Sequence, residues 1–265
     1  MTEIEHLQSV LLSIAKDIDA LCRKNHIDYY LLGGSCIGAI RHHGFIPWDD
    51  DLDIVMTKEN YVRFIEVCRT QLDLSKYCIQ EGRKDWPLNF TKIRLRGTRL
   101  HEPEDGYATE DEMQGIFIDV FYLENVPDNE YLARLQYILA KYYLCYQLLC
   151  RNYKHASFKK KLMIASAAPM KIGLLRKLIV GYIEKFGGQQ TERLGLFYGR
   201  TRYRTSGVLR WIYGKPKYVP FEDTELPVPE HYHEYLTQMF GDYMKLPPVE
   251  QRQGLHLVSV DFGRY

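Results

Sequence analysis

Four aspartates fall within five positions at Asp49-Asp50-Asp51-Leu52-Asp53, and the run begins sixteen residues after Gly33 of a Gly33-Gly34-Ser35 turn. Carboxylates set this densely repel one another and resist burial, so a fold that gathers them needs a compensating charge. The usual one is a divalent cation. A glycine turn upstream adds the cargo of such a cation, because glycine lets the backbone approach closely and a helix start presents N–H groups to phosphate. Read together, residues 33–53 are half of a metal-dependent phosphoryl or nucleotidyl transfer site. The competing reading is a solvated acidic turn that binds nothing specific.

The apolar neighbours Leu52, Ile54 and Val55 predict a strand over 52–56, with Asp51 and Asp53 on one face and Leu52 and Ile54 turned into a core. Two carboxylates roughly 6–7 Å apart at their backbones can converge on one hard cation, and Mg²⁺ suits the pair, with Mn²⁺ as the second choice. Asp49 and Asp50 precede that strand and shape or support the site. A third carboxylate stands alone in the apolar strand Ile116-Phe117-Ile118-Asp119-Val120-Phe121. Burial of an unpaired carboxylate is unfavourable, so Asp119 is expected to be a metal ligand or a general base, or else to pair with Lys92 or Arg94 from a neighbouring strand. Arg41, Lys92 and Arg94 are candidate phosphate contacts; the plain alternative is surface charge.

Around this centre the pattern is mixed. Ile4, Leu7, Leu11, Ile14, Ile18 and Leu21 step by three and four and predict a helix over about 4–25. A short strand at 29–32 runs into the glycine turn, and a short helix over 36–41 follows it. Thr57 caps a helix over about 58–70, strands follow at 77–80, 90–95 and 116–123, and an acidic loop carries Glu102, Glu104, Asp105, Glu110, Asp111 and Glu112. Beyond about 125 the chain turns helical: Asp128 caps a helix to about 151, and more helix reaches about 200. The domain reading is therefore 1–125 as catalytic core and 126–265 as a helical and C-terminal region completing the donor and acceptor cleft.

Six cysteines without a C-x-x-C pair read as free thiols in a reducing compartment, and the opening MTEIEHLQSV is neither a signal nor a transit peptide, which predicts a cytoplasmic protein. The net charge of +1, with no nucleic-acid module, argues against nucleic-acid binding. Locally the charge is uneven. Residues 151–177 hold Arg151, Lys154, Lys159, Lys160, Lys161, Lys171, Arg176 and Lys177 without an acid, interleaved with leucines. Segment 151–179 is thus a candidate for peripheral contact with the inner membrane face, against a solvated helix hairpin. Arg193, Arg200, Arg202, Arg204 and Arg210 read as structural first. His231, His233 and His256 lack zinc spacing, and His42 and His43 sit beside the glycine turn.

The run LLGGSCIGAIRHHGFIPWDDDLDIVM at 31–56 resembles the LicD family signature of a G-G-S/T turn, G-A-hydrophobic-R-H and G-F-I-P-W-D-D-D-hydrophobic-D. The likeness continues through KIR at 92–94, GIFIDVF at 115–121 and FGDYMKLPPVEQRQGLH at 240–256. It implies an α+β fold, with a polymerase-beta-like nucleotidyltransferase core on a mixed sheet and a mainly helical C-terminal half. It also implies a phosphotransferase that moves a phospho-substituent, phosphocholine first, from a CDP-linked donor to a sugar hydroxyl of a glycan, releasing CMP. The acceptor would be a lipopolysaccharide or teichoic acid precursor, free or lipid-linked. On this resemblance the glycine turn is Gly33, Gly34 and Ser35, the paired carboxylates are Asp51 and Asp53, and the third is Asp119. The other readings are an enzyme that moves the NMP itself, with release of pyrophosphate, and a non-catalytic nucleotide- or cation-binding relative.

Overall fold

A computed structural model describes residues 1–83, 86–101, 114–151, 153, 157–197, 201–252, 254 and 259–265. The acidic loop expected at 102–112 lies outside the described residues, as do Lys154, Arg200 and His256. The chain divides into two units. The first comprises Met1–Gln80, Thr91–Phe121 and Ile212–Tyr265, and the second Glu81–Phe90 and Tyr122–Trp211. The chain thus enters the second unit twice, at Glu81 and at Tyr122, and its last fifty-four residues rejoin the first.

The first unit opens with helix α1 (Glu3–Lys24), started by a reciprocal cap between Thr2 and Glu5. Its buried stripe is the one its spacing predicts: Leu7, Leu11, Ile14 and Ile18 are all but sealed from solvent. Strand β1 (Tyr30–Leu31) leads into helix α2 (Gly33–Ile37) and then a wider helical turn, Gly38–His42. The glycines are therefore the first helical residues, not a turn ahead of a helix that starts at Cys36. Strand β2 (Asp53–Thr57) follows, and the Thr57 hydroxyl accepts from Asn60 N to cap α3 (Lys58–Gln71). Strands β3 (Tyr77–Gln80), β4 (Thr91–Leu95), β5 (Arg99–His101) and β6 (Phe117–Val126) complete the stretch.

The main sheet runs β1-β2-β6-β4-β3, with β6 central and β4 antiparallel to both β6 and β3. Its interior is apolar (Leu31, Ile54, Val55, Ile93, Ile118 and Val120), as strands covered on both faces require. Near the C-terminus the unit adds an antiparallel hairpin, Lys217–Phe221 with Thr224–Val228, a helix at Tyr232–Phe240, and a strand at Ser259–Asp261 that pairs with β5.

In the second unit, helices α4 (Glu130–Cys150), α5 (Phe158–Ser166) and α6 (Gly173–Glu184) are followed by β7 (Arg193–Gly195) and β8 (Gly207–Leu209). Ala133, Ala140 and Tyr146 pack with Met170, Ile179, Ile183 and Phe197 to form the core. The end of β6 pairs with β7, and β7 with β8, both antiparallel. Helix therefore stops at Glu184, well before 200, and short strands take over. Asn129, not Asp128, caps α4: its Oδ1 accepts from Tyr131 N and Leu132 N, while Asp128 Oδ1 accepts from Glu192 N. Arg193 and Arg210 hold this unit together, through Glu130 and Pro127 O and through Asn125 and Thr191 O respectively.

Candidate active site

The acidic run is held in place from three directions. Gln8 of α1 donates to the carbonyls of Ile46 and Asp49, at 3.1 and 2.9 Å. Ser35 Oγ accepts from Asp53 N at 2.9 Å, and Leu32 N donates to Asp53 O at 2.9 Å, so the glycine turn and the start of β2 are tied together. Asp119 N donates to Leu52 O at 3.3 Å, which sets β6 and its carboxylate beside the run. Strand β2 begins at Asp53, so Asp51 lies just ahead of the strand on which the sequence places it.

The carboxylates feel one another. Burial drives the Asp53 carboxyl well above its ordinary range, and repulsion from Asp51, Asp119 and Asp49 adds to this, while Lys92 opposes it. Asp49 is pushed up to about 8, first by burial and then by Asp51 and Asp50. Asp51, Asp119 and Asp49 all act electrostatically on Asp53, so Asp49 counts with the carboxylates that the sequence singles out. Its signal was visible in the same acidic run; what the sequence lacked was the fold of the 46–51 loop, which turns it inward against Gly34. A Cβ on Gly34 would stand 2.9 Å from Asp49 Oδ2 and push that carboxylate aside, and Gly33 adopts φ +55°, a left-handed backbone that favours glycine.

The basic residues separate into two kinds. Lys92 and Arg94 are buried rather than surface charges, at 4% and 1% exposure. Lys92 Nζ stands 3.3 Å from Asp119 Oδ1, its partner in register across β4 and β6, and over the Phe117 ring. Arg94 donates to Gln80 Oε1 and Gly115 O and also faces Phe117. Lys92 therefore pairs with a carboxylate of the cluster, whereas Arg94 braces the sheet and the Gly115 backbone. Arg41 is only part-buried: its Nη1 donates to Tyr243 O at 2.7 Å and its Nε to His42 Nε2 at 2.9 Å. Burial lowers the Arg41 pKa, and the charge of Arg252 lowers it further. Arg252 donates to Pro247 O and lies over the Trp48 ring, whose other neighbour is the His42 edge. Arg252 and Trp48 thus neighbour Arg41 and His42, a grouping that no spacing in the sequence announces. Of the glycine-turn amides, Gly33 N donates to Tyr235 Oη at 3.3 Å and Ser35 N to Leu32 O at 3.0 Å.

The donor set is oxygen only, which suits a hard divalent cation, and a double positive charge would relieve the mutual repulsion of the carboxylates. Among the described residues no three acidic, histidine or cysteine side chains already converge on one point at ligand distance. A cation would have to draw them together.

Two comparisons with known proteins fit this geometry. Residues 26–126 match the family described as LicD/FKTN/FKRP, nucleotidyltransferase domain. Over 266 aligned positions, 94% of this chain and 94% of the relative, the sequence is 30% identical to the lipopolysaccharide cholinephosphotransferase LicD of Haemophilus influenzae. The chain belongs to the LicD family. The matched segment of this LicD member covers α2, the acidic run, β4 and the whole of β6, so every carboxylate of the cluster lies within it. Shorter likenesses, 42% and 40% identical over 57 residues, link 22% of the chain to uncharacterized proteins of Rickettsia typhi and Rickettsia prowazekii, covering 18% and 21% of those proteins.

Proposed function

We propose that this chain is a phosphocholine transferase that moves phosphocholine from a CDP-linked donor to a sugar hydroxyl of a cell-surface glycan of the lipopolysaccharide type, releasing CMP. The observation that carries this reading is its full-length likeness to a cholinephosphotransferase. The clustered carboxylates Asp49, Asp51, Asp53 and Asp119 support it. We read the main sheet and its flanking helices as a nucleotidyltransferase-type core, a reading that the description of the matched family domain supports.

In this reading Asp51, Asp53 and Asp119 hold Mg²⁺, or Mn²⁺ in its place. The cation, when bound, neutralises charge that develops on the transferred phosphoryl group and the departing CMP. The protein's own groups do the rest. Arg41 and Arg252, two guanidinium groups anchored on backbone carbonyls, take the donor diphosphate, for which a pair of cations is well matched. Trp48 lies beside them as an apolar wall. The glycines keep the backbone low enough for the donor to approach. Asp119, held beside Lys92, receives the proton of the acceptor hydroxyl as that oxygen bonds to the phosphoryl group and the bond to CMP breaks.

Asp51→Asn keeps the shape and removes one charge. It should abolish CMP release from CDP-choline with Mg²⁺ present, by a factor of about 10³ or more, while the circular dichroism spectrum stays unchanged. Turnover near the parent rate in this variant would sink the assignment. Release of pyrophosphate from a nucleoside triphosphate, with CDP-choline left intact, would replace it with nucleotidyl transfer.

A further inference from the structure

The second unit carries a surface that the active site does not use. Helices α5 and α6 bury Ile164, Ile179 and Ile183 inward, and Met170 between the helices is sealed completely. Opposite these positions stand apolar side chains that a soluble surface has no reason to present: Phe158 is 82% exposed, Leu162 67%, Leu174 69% and Leu178 63%. Phe158 and Leu162 are four residues apart on α5, and so are Leu174 and Leu178 on α6, so each pair forms a stripe on its helix. Leu162 lies two positions from Ile164, on the far side of α5. Ile172, between the helices, is 64% exposed as well.

Charge indicates what covers these stripes. Residues 151–177 contain eight lysines and arginines and no acidic residue, in a chain whose net charge is only +1. Among the described ones, Lys159, Lys161, Lys171 and Lys177 take part in no ion pair with an acidic side chain. A protein partner would need an acidic and apolar patch of the same outline. An anionic bilayer offers both properties everywhere: negative headgroups for the lysines and an acyl boundary for phenylalanine and leucine. Among the described residues no helix is long and apolar enough to cross a membrane, so contact would be made by lying on the surface.

We infer that the α5–α6 face of the second unit is a membrane-docking surface for anionic lipid, with Phe158, Leu162, Leu174 and Leu178 inserted at the acyl boundary and the flanking lysines on the headgroups. The inference rests on surface exposure and charge alone and is independent of the reading of the active site. Docking would hold the enzyme where a lipid-linked glycan acceptor is found.

The test is cosedimentation of the full chain with vesicles of phosphatidylcholine alone and with vesicles carrying about one-third phosphatidylglycerol. The expected result is binding to the anionic vesicles at low salt, loss of that binding at high salt, and little binding to phosphatidylcholine alone. Each lysine brought near an anionic surface strengthens partitioning by about fivefold, so Lys159→Glu with Lys161→Glu should weaken binding by at least about 25-fold. Leu162→Glu with Leu178→Glu should weaken it as strongly, and since all four positions are outside the core, the thermal midpoint should not move. Asp51→Asn should bind vesicles like the parent, which separates failure here from failure of the catalytic reading. Absence of binding to anionic vesicles at low salt overturns the inference, as does equal binding to neutral ones. So does a stable dimer that the leucine variants dissociate without any vesicle binding by the parent.

Discussion

Asp49 and Lys141 illustrate how position, more than residue type, sets chemistry at the scale of single side chains. Both are ordinary charges in the sequence, and burial shifts both toward neutrality. Asp49 does so inside a cluster of like charges, where the repulsion is of use because a bound cation would relieve it. Lys141 has no such role: burial lowers its ammonium to about 8, and the hydroxyl of Thr201 is 3.4 Å away. The sign of the pH effect follows. In the folded chain Lys141 loses its proton near 8, whereas in the unfolded chain it keeps it to about 10.5. The unfolded state therefore holds more protons across that window, and the penalty for burying this lysine is full below about pH 8 and fades as pH rises to about 10.5. Lys141→Met should raise stability at neutral pH by on the order of 1 kcal/mol, allowing for the group's partial exposure. Chemical denaturation of both proteins at several pH values should show the gap closing above about pH 8. A gap that is constant with pH would show that packing, not charge, sets it.

At the scale of elements, periodicity and caps were legible and exact starting points were not. The 58–71 helix and its Thr57 cap, the buried stripe of α1, and strands β3, β4 and β6 follow from pattern alone, because each buries one well-defined face. The cap of α4 was placed one residue early, since Asp128 and Asn129 are equally good capping types and only the neighbouring Glu192 amide claims one of them. Asn129→Ala should destabilise the second unit by about 1 kcal/mol, because two backbone donors lose their acceptor. Asp128→Ala should do so by a different route, loosening the 190–195 segment first, and hydrogen exchange of the Tyr131 and Glu192 amides would tell the two apart. The stop of helix at Glu184 was hidden for a related reason: β7 and β8 are three residues long and are strands only because the end of β6 is there to pair with them.

For the molecule as a whole, the site is a meeting of segments that are far apart in the chain: α2, the 46–53 loop, β6 and the stretch around Arg252. A ligand that bridges them binds the native state alone and should stabilise it. CDP-choline with Mg²⁺ at about a hundredfold excess over its Kd should add about 2.7 kcal/mol and raise the thermal midpoint by several degrees, with Mg²⁺ alone doing less. A shift with a nucleoside triphosphate and none with any CDP compound would turn the reading toward nucleotidyl transfer. The sequence by itself determined the family signature and marked the four aspartates, the glycine turn and the isolated Asp119 as candidates, because residue type and spacing are local patterns along the chain. It also showed the basic segment near 160, since charge is additive along a chain. Only the tertiary structure decided which of those charges are spent. It turned Lys92 and Arg94 inward to serve Asp119 and the sheet, placed Arg252 beside Arg41, drew Asp49 into the cluster, and left the leucines of α5 and α6 facing out. Burial and partnership are properties of neighbours in space, and a linear pattern specifies neighbours only within a helix turn or along a strand.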